Sequence, residues 1–131
     1  MISLRIRAAV AAAVLAVLAS PSPAQARPVG RPWELSLAVQ DDRTGTTTRA
    51  ELVCHPTGEG HPQAQAACDA VDAAGGDLNR LTGMPRTLCY HLSQPVTASA
   101  TGSWAGRLVQ WQQTFGNSCE LRTKTAPVFG F

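Results

Sequence analysis

The chain has 131 residues, with eleven basic and nine acidic side chains, four cysteines, and a formal net charge of +2. Two of the basic residues, Arg5 and Arg7, precede an apolar run at the amino terminus. The chain beyond them is formally neutral, and neither nucleic acid nor an anionic membrane surface is an expected partner.

Arg5 and Arg7 open a leader whose apolar stretch runs from Ala8 to Ala19 and is broken by Pro21 and Pro23. Ala24-Gln25-Ala26 then offers the small-x-small pattern of a signal-peptidase site, so residues 1–26 read as a secretory signal peptide and 27–131 as the mature, extracellular domain. No second apolar run is long enough to span a bilayer, so no membrane partner is expected. Roughly a hundred mature residues make one domain with a modest core that gains from cross-links.

Trp33, Leu35, Leu37 and Val39 alternate with Glu34, Ser36 and Gln40, which predicts a half-buried strand. Asp41 to Thr47 is a polar loop, and the alternation returns through Thr48, Ala50, Leu52 and Cys54 as a second antiparallel strand. Thr57 to Pro62 is a Gly/Pro loop flanked by His55 and His61, both expected to be exposed and idle. Pro62 suits the first position of a helix whose stripe is Ala64, Ala67, Cys68 and Val71, and Gly75-Gly76 ends it. Asp77 caps a short turn through Leu78 and Leu81. A long hairpin follows: Val96 to Trp104, a tight turn at Ala105-Gly106, and Arg107 to Phe115. Gly116 to Ser118 turns the chain, and Val128 to Phe131 reads as a last strand. The sum is α+β, an antiparallel sheet covered by one or two helices.

Cys54, Cys68, Cys89 and Cys119 form an even set in an exported chain and imply two disulfides. Three connectivities are open, and spacing does not choose among them. Local pairing is the starting expectation, each bridge contributing about 3 to 4 kcal/mol in the chain-entropy view. No C-x-x-C pair is present, so neither a structural zinc nor any other metal or cofactor is expected. The sequence also lacks a G-x-S-x-G elbow and an H-E-x-x-H helix. A hydrolase would have to rest on His55 or His61, and the neutral chain has no basic excess to hold a phosphate backbone. A binding protein is therefore the better reading. Its candidate surface is Leu88-Cys89-Tyr90-His91-Leu92-Ser93-Gln94-Pro95-Val96, which a cysteine ties at one end and Pro95 stiffens at the other. By itself this stretch reads first as an ordinary entry into the next strand, and only second as a strand presented to a partner.

Several motifs together decide between these. They are C-H-P-T-G-E-G-H-P (Cys54 to Pro62), A-G-G-D-L-N-R-L (Ala74 to Leu81), Cys89, Pro95-Val96, G-S-W-A-G-R (Gly102 to Arg107), F-G-N-S-C-E (Phe115 to Glu120) and the closing V-F-G-F. From Trp33 to Phe131 the chain resembles the Streptomyces subtilisin inhibitor family. The resemblance implies a five-stranded antiparallel sheet covered by two helices, with disulfides Cys54–Cys68 and Cys89–Cys119. It also implies homodimers joined through the sheet. The activity it implies is reversible, substrate-like inhibition of extracellular subtilisin-like serine proteases, not catalysis. His91–Leu92 would be the reactive bond, with His91 in the protease's primary pocket. Leu88, Cys89 and Tyr90 would contact the protease before the bond and Ser93 after it. Two positions depart from the family, which usually carries Met or Lys at His91 and often Pro at Tyr90. The imidazole predicts inhibition weaker than that of a Met-bearing relative and weaker still below about pH 6.5, where an ordinary imidazole takes up its proton. The alternative is a secreted binding module that kept the scaffold without inhibiting.

Overall fold

The computed structural model describes residues 30–131, and the signal-peptide reading of 1–26 lies outside the described residues. Two strands come first, β1 (Glu34–Asp41) and β2 (Thr47–Val53), followed by helix α1 (Ala64–Ala73) and a short 3-10 turn at Leu78–Arg80. Strands β3 (Val96–Trp104) and β4 (Arg107–Phe115) form a hairpin that leads into helix α2 (Ser118–Thr125). The sheet is antiparallel throughout, in the order β2-β1-β3-β4.

Period-two alternation makes these strands, and the turns set their register. Asp41 accepts hydrogen bonds from the backbone N–H of Arg43 (2.9 Å) and Thr44 (3.0 Å), folding the β1–β2 loop back on itself. Ala105 and Gly106 both hold positive φ, 50° and 74°, which is the two-residue turn whose twist suits a hairpin. The central β1–β3 pair joins residues far apart in sequence, with Leu37 opposite Ala100 and Val39 opposite Ala98. One face of the sheet therefore carries Leu35, Leu37, Leu52, Ala98, Ala100, Trp104 and Phe115 into the core. Ala67, Cys68 and Val71 of α1 pack against it, with Leu78, Leu121, Val128 and Phe129 completing the cluster. Gly76 passes so close to Trp104 that a Cβ there would lie 2.7 Å from the indole Cδ1, at a φ of +81° that favours glycine anyway. Cys54–Cys68 ties the end of β2 to α1, and Cys89–Cys119 ties the segment before β3 to α2.

Two expectations need correction. The sheet has four strands among the described residues, not five. Val128 and Phe129 are fully buried, as a strand reading requires, but the backbone around them turns on itself. Val128 N–H donates to Thr125 O and Gly130 N–H to Pro127 O, while Pro127 has no N–H to offer a neighbouring strand. The carbonyl of Val128 is taken by His61, whose Nε2 lies 2.8 Å away. The segment plugs the core instead of extending the sheet.

The second correction concerns His61, expected to be idle but in fact buried. Its Nδ1 accepts from Gln63 N–H (3.0 Å) and its Nε2–H donates to Val128 O, a pairing that assigns the neutral ring. His61 thus fastens the entry of α1, whose N-cap Gln63 makes no side-chain cap, to the carboxyl-terminal plug. His55 is partly exposed but engaged: Nε2 lies 2.9 Å from Asp72 Oδ2, and the ring meets Trp33 edge-on with centroids 4.4 Å apart.

Candidate functional site

Between the 3-10 turn and β3 the chain runs from Leu81 to Pro95 without helix or strand. An irregular connection of that length in a small domain is commonly functional. This one leaves apolar side chains in water: Leu88 is 97 %, Tyr90 89 % and Leu92 60 % exposed. His91 and Ser93 are exposed as well, and Cys89 is half-buried by its bridge. Folding gains nothing from apolar groups held outward in a row, which points to a surface made for a partner.

The loop is nevertheless held firmly, almost entirely by α2 and the residues that start it. At its base Gly83, with φ +63°, passes against the last turn of α2 and Met84 N–H donates to Thr123 O (2.8 Å). A Cβ on Gly83 would fall 2.1 Å from Thr123 O, so only glycine fits there. In the middle, Cys89 is bonded to Cys119 in the first turn of α2. Beyond the apex, Gln94 N–H donates to Gly116 O (3.0 Å) and Pro95 O accepts from Asp42 N–H (3.0 Å).

The apex depends on Asn117. This residue is buried at 6 % exposure and is the N-cap of α2, its Oδ1 accepting from Glu120 N–H (2.9 Å). Its Nδ2 donates to Tyr90 O (3.1 Å) and to Leu92 O (3.0 Å). Both carbonyls flanking His91 are therefore pinned from behind by one amide. Leu92 N–H also donates to Tyr90 O (2.9 Å), closing a three-residue turn with His91 at its tip. Glu120 steadies the same junction by accepting from Gly116 N–H (3.0 Å). Behind the loop lies a cavity of about 580 Å³ lined by Leu88, His91, Phe115, Glu120 and Lys124 among others.

All six loop residues singled out from the sequence, Leu88, Cys89, Tyr90, His91, Leu92 and Ser93, thus lie on one exposed, braced segment. His55 and His61 do not join them, and each is committed elsewhere, to Asp72 and to Val128 O. Asn117 and α2 escaped the sequence reading, although Asn-Ser-Cys-Glu carries a readable signal. An Asn followed three residues later by Glu marks a capped helix start.

Residues 31–117 match the subtilisin inhibitor-like family, and the chain belongs to it. It is accordingly a member of a family of protease inhibitors and not of enzymes. Subtilisin inhibitor-like protein 5 of Streptomyces fradiae is 42 % identical over 91 residues, which span 68 % of this chain and 85 % of that protein. The subtilisin inhibitor of Streptomyces albogriseolus is 36 % identical over 121 residues, 88 % of this chain and 83 % of the relative. Among solved structures, Streptomyces caespitosus sermetstatin in complex with Bacillus licheniformis subtilisin is similar with a TM-score of 0.62. It is 36 % identical and covers 75 % of this chain and 97 % of its own.

Proposed function

We propose that this chain is a secreted inhibitor of extracellular subtilisin-type serine proteases that presents His91–Leu92 as a substrate-like bond. The observation that carries the reading is the bracket of Asn117 on the carbonyls of Tyr90 and Leu92, one on each side of His91. An exposed loop adds to the protease's substrate-binding edge as an extended strand, with alternate side chains filling pockets. The protease serine attacks the His91 carbonyl carbon, its oxygen bonding there as the peptide nitrogen of Leu92 leaves with a proton. In a substrate that amine diffuses away. Here Leu92 stays tethered through its own carbonyl to Asn117 and through Gln94 to Gly116, while Cys89 anchors the acyl side. The amine is poised to return and re-form the bond, so net hydrolysis is slow. Because the loop is ordered before it binds, little conformational entropy is lost on association and a standard-sized interface can reach tight binding.

The leader at residues 1–26 supports export. A homodimer through the sheet is supported by the family resemblance and by the outer face, which no helix among the described residues covers and where half-buried Ala38, Ser99 and Ser103 stand beside exposed Leu108. Sedimentation of the mature protein should give twice the protomer mass.

The inhibitory reading is tested by adding a small molar excess of mature protein to subtilisin, following residual activity, and mapping any cut by mass spectrometry after reduction. Stoichiometric loss of activity with a single slow cut between His91 and Leu92 is the expected result. Rapid degradation, or full residual activity, would favour the non-inhibitory binding module on the same scaffold.

A further inference from the structure

We infer that His91 makes the inhibitory grip proton-gated: the chain holds a protease whose primary pocket is apolar while the imidazole is neutral, and releases it as the ring takes up a proton. This deepens the reactive-bond reading above and rests on it.

Three observations carry the inference. First, His91 stands exposed at the tip of a turn whose two flanking carbonyls are fixed by Asn117. The backbone cannot withdraw the ring, so whatever charge the ring carries must enter the pocket with it. Second, among the described residues no carboxylate lies within ion-pair distance of the His91 ring. The elements behind the loop that face the same cavity are β4 and α2. From β4 come Gln113, Thr114 and Phe115, none of them charged; from α2 come Glu120 and Lys124, of opposite sign. The Glu120 carboxylate keeps its charge while accepting from Gly116 N–H, and the Lys124 ammonium in the same lining offsets it. On the loop itself the charged or titratable neighbours are Arg86 and Tyr90. Among the described residues the one histidine–carboxylate ion pair is His55–Asp72, away from this loop. Third, the exposed neighbours Leu88, Tyr90 and Leu92 are apolar or aromatic, so the surface as a whole complements a protease with apolar subsites.

A neutral imidazole entering an apolar pocket gives up one or two hydrogen bonds to water, whereas an imidazolium gives up the hydration of a full charge. The complex therefore holds fewer protons at His91 than the free inhibitor does. By linkage, affinity is at its full value where the free ring is neutral. It falls as pH drops through the range in which imidazoles charge, by at most about tenfold per pH unit for one proton. A protease with a carboxylate in its primary pocket would give the opposite slope, so the sign of the dependence reports the class of partner.

The experiment measures inhibition constants against subtilisin for the wild type and for His91→Met, from about pH 5.5 to about pH 8. The ratio of the two constants cancels the titration of the protease's own catalytic histidine. The expected result is a ratio that worsens by about tenfold for the wild type as pH falls across that interval. A flat ratio with both proteins inhibiting overturns the gate and leaves the reactive bond standing. So does a wild type inactive at every pH beside an active His91→Met. A ratio that improves in acid overturns the apolar partner. Failure of both proteins to inhibit at any pH overturns the underlying reading itself.

Discussion

Asn117 uses both ends of its amide, the oxygen on α2 and the nitrogen on the loop, and the two tasks can be separated by one atom. Asn117→Asp keeps an acceptor for Glu120 N–H but sets a carboxylate oxygen against the carbonyls of Tyr90 and Leu92. The expected cost in urea-unfolding stability is about 1–3 kcal/mol, the usual penalty for orphaning buried polar groups. The informative readout is kinetic: subtilisin should cut His91–Leu92 in the variant markedly faster than in the wild type, turning inhibitor into substrate. A variant cut as slowly as the wild type would remove Asn117 from the mechanism. A second residue-scale effect sits in the β1–β2 turn, at the same end of the sheet as the loop. The backbone N–H groups of Thr44 and Arg43 hold the Asp41 carboxyl below the ordinary carboxylate range. A lowered value in the folded state means this contribution is present above the unfolded value and lost as pH falls through the folded one. Asp41→Asn keeps the acceptor oxygen without the charge. Its unfolding midpoint should therefore fall less steeply than the wild type's as pH drops below about 4.

At the scale of elements, α2 is where the loop is attached: by Gly83 and Met84 at its last turn, by Cys119 in its first, by Asn117 at its cap. Cys54–Cys68 joins a different pair of elements, β2 and α1. Replacing Cys89 and Cys119 together by Ser should therefore cost about 2–4 kcal/mol and leave the sheet folded. Inhibition should weaken far more than stability does, measured as an inhibition constant beside a thermal melt. Equal losses in both would mean that the bridge serves the fold as a whole. The elements differed in how readable they were. β1 to β4 and α1 announce themselves through clean period-two and helical apolar patterns, and the Ala105-Gly106 turn through its residue types. α2 has no such stripe: only Leu121 and Thr125 are buried in Ser-Cys-Glu-Leu-Arg-Thr-Lys-Thr, so it is identified by its cap and not by periodicity. The closing Val-Phe-Gly-Phe misleads for the opposite reason, being apolar enough for a strand while its backbone bonds are used locally. The loop residues were legible from family motifs. The bracket behind them was not, because it joins positions 25 and 27 residues apart that only the fold brings together.

Taken whole, the molecule is a sheet with a packed inner face, and the fastening of its parts is separate from the display of its loop. His61 is the clearest fastener, joining the loop before α1 to the plug at Val128 across 67 residues of chain. His61→Leu fills similar space but orphans Val128 O and Gln63 N–H. It should lower global stability by about 1–3 kcal/mol in denaturant titration while leaving the inhibition constant at neutral pH unchanged. A parallel loss of inhibition would show that loop and core are coupled more closely than their hydrogen bonds imply.

The loop is fastened through main-chain atoms, namely Tyr90 O, Leu92 O, Met84 N and Gln94 N, and through one disulfide. Among the described residues no hydrogen bond or ion pair uses the side chains of Leu88, Tyr90, His91 or Leu92. Those four positions are free to vary without penalty to the frame. On the proposed reading, successive substitutions there would redirect the protein from one target enzyme to another while its architecture stands still, in a lineage or in a randomised library. A histidine at the tip needs no structural compensation elsewhere: the frame neither asked for it nor resists it.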